Sequence, residues 1–83
     1  MSQRELLIML THAQLCDSCR RRLLADPAAV SVGRVLSDAE KGTLARLTAD
    51  DFLTPALLAR AVGATAAEIE EYRDHPVARL RHL

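Results

Sequence analysis

Apolar side chains recur with a helical period along residues 5–26. At about 100° per residue, Leu6, Ile8, Met9, His12, Ala13, Leu15, Cys16, Cys19, Leu23 and Leu24 fall on one broad arc. Thr11, Gln14, Ser18, Arg21 and Arg22 fall on the other side. The pattern predicts one long helix, with Ser2 as its N-cap and Glu5 as the reciprocal partner three residues on. It should end before Pro27, because the residue ahead of a proline is pushed out of the helical region. Residues 28–35 read as a connector: Pro27 could open a helical turn, the alternation over Val30–Gly33 is too brief for a strand, and Gly33 ends whatever forms.

Start signals then recur. Ser37 and Glu40 make a capping pair for a helix over about 38–47, with Leu44 and Leu47 inward and Leu36 just ahead of the cap. Thr48 and Asp51 repeat the signal for a short turn carrying Phe52 and Leu53 inward. Thr54-Pro55 opens a helix that should bury Leu57, Leu58, Ala61 and Val62 and stop at Gly63. Thr65 and Glu68 start another, with Ile69 and Tyr72 on one face and acids on the other. Pro76 starts a last one, with Val77, Leu80 and Leu83 apolar. The expected fold is all-α: one domain over residues 1–83, a bundle of five or six short helices whose second half is helix-turn-helix-like.

Composition narrows the setting. Phe52 and Tyr72 are the only aromatic residues, so the core must be aliphatic, which suits packed helices. A chain of 83 residues buries only about 60–65% of its unfolded surface, so a metal, disulfide or partner would matter to its stability. The formal charge is zero, which removes any global attraction to nucleic acid or anionic membrane. No apolar run approaches the ~18–20 residues of a membrane span, and Leu6–Leu10 is too short for a signal peptide. The expectation is a cytoplasmic chain, where a Cys16-x-x-Cys19 pair is reduced, metal-bound or redox-active rather than a structural disulfide.

Three constellations carry candidate chemistry. His12, Cys16 and Cys19, spaced by four and three, share one helical face within reach of one ion. Two thiolates and an imidazole suit tetrahedral zinc. The string His12-Ala13-Gln14-Leu15-Cys16-Asp17-Ser18-Cys19-Arg20 resembles the motif of zinc-binding anti-sigma factors, which implies zinc, a regulatory role and a further ligand upstream of the motif. Only eleven residues precede His12, so Glu5, His75, His82 or a partner chain would have to supply it. The competing reading packs both cysteines as small hydrophobes beside a satisfied histidine. Their place at the centre of the apolar arc favours that reading, with no cofactor and zinc as the alternative. A thioredoxin-like role lacks its strand–helix context.

The second constellation runs from Leu58 to Tyr72, where two short helices meeting at Gly63 look like a helix-turn-helix. Arg60, Thr65 and Arg73 would be its DNA contacts. Its chemistry argues against nucleic acid: Glu68, Glu70 and Glu71 would repel phosphates, and residues 35–83 hold six basic against eight acidic residues. The third combines Arg21-Arg22-Leu23-Leu24-Ala25-Asp26-Pro27, then Leu36 to Glu40 with Leu44, then Asp50-Asp51-Phe52. It resembles the small helical (LigA-like) subunit of extradiol ring-cleavage dioxygenases and related helical adaptor domains. That resemblance implies a non-catalytic cover or adaptor on a larger partner and maps no functional residue onto this chain.

No nucleophile–base pair, phosphate loop or carboxylate pair stands out, so an enzyme acting alone is not expected. The leading expectation is a small non-catalytic helical binding or adaptor protein acting through a larger protein, possible as a homodimer, with no membrane contact. Arg20, Arg21 and Arg22, which offset the dipole at the end of the first helix, are its candidate partner contacts. The alternatives are a DNA-binding regulator and a zinc-binding anti-sigma-like regulator.

Overall fold

The long helical pattern breaks in the middle of its candidate ligands. In the computed structural model, which describes residues 3–80 and 82–83, with the side chains of Gln3, Val77 and Leu80 excepted, Cys16 is extended (φ −114°, ψ 109°). Two helices result in place of one, α1 (Gln3–Leu15) and α2 (Asp17–Ala25). The Cys16 N–H still donates to the His12 carbonyl at 2.8 Å, while its own carbonyl accepts from Arg20 at 2.9 Å. Local polarity supports the restart. Asp17 occupies the first position of α2, where a carboxylate suits the positive helix end, and it pairs with Arg20 and Arg21 one turn on. The expected N-cap Ser2 lies outside the described residues, as do the side chains of Val77 and Leu80.

The kink reassigns the faces. Leu15 leaves the apolar arc and is 46% exposed, whereas Thr11, expected on the polar side, is fully buried. Its hydroxyl donates to the Leu7 carbonyl at 2.7 Å, which meets the cost of burying it. Every residue from Leu6 to Ala13 is buried, so α1 is surrounded on all sides and forms the axis of the domain. Helices α2, α6 (Ala66–Arg73) and α7 (Pro76–Leu80) pack directly on it.

The connector is partly helical. Asp26 caps α3 (Pro27–Ser31), accepting from the Ala29 N–H at 3.2 Å, and Pro27 holds its first position. Val30 turns inward from it. Helix α4 (Asp38–Arg46) begins on the expected reciprocal cap: Ser37 Oγ accepts from Glu40 N, and Glu40 Oε1 accepts from Ser37 N. A 3₁₀ turn, Ala49–Phe52, follows, with the Thr48 N–H donating to Asp51. It buries Phe52 but leaves Leu53 70% exposed, contrary to expectation. Helix α5 (Pro55–Val62) buries Leu58 and Ala59, while Leu57 and Ala61 face out. It packs mainly on α6 and the 3₁₀ turn, and one narrow stripe of it is buried. Gly63 stops α5 at φ +73°, a left-handed conformation that other residues adopt only with strain. Thr65 and Glu68 cap α6 reciprocally.

Among the described residues the domain is all-α. Its core gathers Leu7, Met9, Leu10 and Ala13 of α1 with Leu23, Val30, Leu44, Phe52, Leu58 and Ile69. Each such large side chain contributes about 1.5–3 kcal/mol of burial. No described helix is long and apolar enough to cross a membrane.

Candidate metal centre

His12 sits in the last turn of α1, Cys16 at the break, and Cys19 in the first turn of α2. In a single straight helix all three would stay on the buried arc. The break swings α2 round, so the three donors converge at a corner, and His82, beyond α7, closes it. One donor atom from each of His12, Cys16, Cys19 and His82 lies within 4.8 Å of every other. A metal ion could be held by this set. Of the three residues expected as possible fourth ligands, His82 is the one that reaches the corner. Glu5 pairs instead with Arg34 at 3.3 Å, and His75 lies against the Tyr72 ring.

Four of the six separations can be set against tetrahedral zinc. Zinc at about 2.05 Å from nitrogen and about 2.3 Å from sulfur gives tetrahedron edges of about 3.3 Å for N···N, about 3.6 Å for N···S and about 3.8 Å for S···S. His12 Nε2 lies 3.2 Å from His82 Nδ1 and 3.3 Å from Cys19 Sγ. His82 Nδ1 lies 3.4 Å from Cys19 Sγ and 3.9 Å from Cys16 Sγ. Calcium or magnesium would call for oxygen donors, and this set has none.

The outer contacts orient the donors. His12 Nδ1 lies 2.6 Å from the Ala78 carbonyl. A carbonyl can only accept, so Nδ1 carries the hydrogen, and the lone pair of a neutral ring is on Nε2, facing the other three groups. This is the usual support of a metal-bound histidine. His82 is held through its backbone, its carbonyl accepting from Arg34 Nη2 at 3.4 Å. The Leu83 carbonyl accepts from Arg22.

Burial divides the set into two tiers. His12 and Cys19 are buried, Cys16 is half-buried and His82 is exposed. The cysteines differ accordingly. Cys16 is pulled down to about 6, first by the Ser18 hydroxyl 3.4 Å away, then by hydrogen bonding from Cys19, with His82 adding less. Cys19 is pushed up, chiefly by burial and then by its neighbour Cys16. A bound cation would favour both thiolates. As free thiols they make one ready nucleophile and one shielded one.

The other candidate residues lie apart from this corner or are engaged in structure. Arg20 and Arg21 are occupied by Asp17, and Arg22 by the Leu83 carbonyl. Asp17 is held below its ordinary value, first by its bond from Arg21. Arg60 is exposed on α5, and the Thr65 hydroxyl serves the cap of α6. Arg73 lines a groove with Leu15, Glu70, Asp74 and Arg79. The Ala78 carbonyl escaped sequence reasoning entirely, since a backbone acceptor carries no sequence signal.

Comparison with protein-family models, with curated proteins and with solved structures finds no match. The likenesses to LigA-like subunits and to zinc anti-sigma factors therefore rest on the local residues quoted above.

Proposed function

We propose that this chain is a small non-catalytic helical module that binds one zinc ion through His12, Cys16, Cys19 and His82 and acts through a larger protein partner. The observation that carries the reading is the four-donor corner, four of whose separations lie near those of a tetrahedral zinc ion and whose buried histidine is already oriented by the Ala78 carbonyl. Four protein ligands fill a tetrahedral zinc and leave no open position for substrate, the arrangement of structural rather than catalytic zinc. A reducing compartment such as the cytoplasm would keep both thiols available. Work through a partner is supported by apolar side chains left on the surface, Leu53 just before α5, Leu57 on it, and Val32 and Val35 between α3 and α4. The DNA-binding alternative gains little. Glu70 and Glu71 are exposed on α6, where phosphates would approach.

Metal analysis of protein purified without a histidine tag under reducing conditions tests the reading. One equivalent of zinc, absent from Cys16→Ser, is expected, and the cobalt-substituted protein should show the intense visible bands of a tetrahedral site. Metal-free protein that takes up neither ion would sink it. For the partner, co-purification from the native host should yield a larger protein. A chain that recovers none, or that catalyses a reaction alone, would remove the adaptor half.

A further inference from the structure

We infer that the metal centre is a clasp: the bound ion locks residues 76–83 onto α1 and α2, and its loss releases that segment while the rest of the domain stays folded. The inference rests on the zinc reading above and assigns that site a regulatory consequence.

The connectivity of the donors makes an ion a long-range cross-link. Three of them lie within one short stretch, residues 12–19, while His82 stands 63 positions beyond Cys19. An ion held by all four therefore ties the segment after α6 back to the α1–α2 corner. The remaining ties are weaker or conditional. Arg22 and Arg34 reach the carbonyls of Leu83 and His82 at the surface, where water competes for the same groups. His12 donates to the Ala78 carbonyl, but its ring is best fixed in that orientation when Nε2 is also bound. Helix α7 has five residues, far too few to persist once it leaves its seat. Among the described side chains of the segment, Ala78 is buried and Leu83 is half-buried against the core. The core side chains of α4, α5 and α6 meet α1 and one another through Leu44, Phe52, Leu58 and Ile69, outside this segment.

The two-tier burial gives the clasp its handle. Cys16 and His82, on the outer side, are open to a competing chelator or metal acceptor, and His82 is also the ligand whose departure frees the segment. Release uncovers His12, Cys19 and the seat of Ala78 on α1. The metal-free form would thus present a face that the zinc-bound form hides, and zinc occupancy would decide which face a partner meets.

Limited trypsin digestion of the full chain tests the clasp, with zinc content followed by native mass spectrometry. Arg79 and Arg60 are both exposed, one on α7 and one on α5. Removing zinc should speed cleavage after Arg79 by about tenfold or more while leaving cleavage after Arg60 unchanged. His82→Gln, a change at an exposed side chain, should be cut rapidly after Arg79 whether or not zinc is added. If zinc binds at one equivalent but cleavage after Arg79 ignores it, the clasp is overturned and the zinc site stands. The same holds if both positions open together, or if zinc still protects Arg79 in His82→Gln. A chain that takes up no zinc overturns the clasp and the zinc site together.

Discussion

The corner between α1 and α2 and the turn between α5 and α6 are both junctions of short helices, yet they are built from different kinds of information. At the α5–α6 turn every element is local. Thr54 and Pro55 start one helix, Gly63 ends it at positive φ, and Thr65 with Glu68 starts the next. Partners lie within a few residues of each other, so the chain states its geometry in its own sequence. At the α1–α2 corner the bend turns on one extended residue without a side-chain cap, Cys16. What gives that bend its meaning stands 63 to 70 residues away: the Ala78 carbonyl and the His82 ring. The lesson is that a junction assembled from caps serves packing, whereas one that gathers uncapped polar side chains around remote groups is where chemistry should be sought.

Metal removal should separate the two regions most sharply. Zinc bound by four protein ligands adds its binding free energy to the folded state. A strong chelator should therefore lower Tm by more than about 10 °C, and Cys19→Ser should be indifferent to it. Equal melting curves for wild type with and without chelator would erase the distinction between the junctions.

Leu58→Ala strikes the other junction. Leu58 is fully buried, so truncation should cost about 2–5 kcal/mol in chemical denaturation. Zinc stoichiometry should stay at one. Loss of the metal in this variant would mean that the two regions are coupled through the core rather than separate.

Gly63→Ala and Thr65→Ala probe the local signals themselves. The first forces a side chain into left-handed backbone with open space around it, so it should cost about 1–2 kcal/mol through backbone strain alone. The second removes a cap that accepts from the Glu68 N–H and should cost about 1 kcal/mol. Denaturation midpoints that do not move would show that α6 is placed by packing on α1 and not by its cap.

The smallest effect in energy sharpens the contrast within the corner. In zinc-free, reduced protein, alkylation of Cys16 should rise with a midpoint near pH 6, following its lowered value of about 6. Cys19, pushed up by burial, should stay unmodified through neutral pH. The sign for stability follows. A thiol with a lowered folded value favours the folded state above its unfolded value, and that contribution disappears as pH falls through about 6. Equal labelling of the two cysteines, followed by mass spectrometry, would contradict the two-tier corner.

By itself the sequence determined the helical class, the caps at Ser37, Thr54 and Thr65 and the stop at Gly63, and it offered His12, Cys16 and Cys19 as candidate donors beside the packing reading that it favoured. Each follows from interactions spanning a few residues, where side-chain type and backbone preference act together. It also supplied His82 as one of three candidates for the fourth ligand, without a way to choose among them. Tertiary structure alone decided that choice, and with it the burial of Thr11, the exposure of Leu15 and the outward face of Leu57. A period drawn on one straight helix cannot register a bend, and the bend at Cys16 moved the donors from the middle of a packed face to a corner between helices. Which side of α5 is covered depends on which helices arrive to cover it. Which histidine completes the set depends on where α7 docks on α1, a contact between residues more than sixty positions apart that no local spacing encodes.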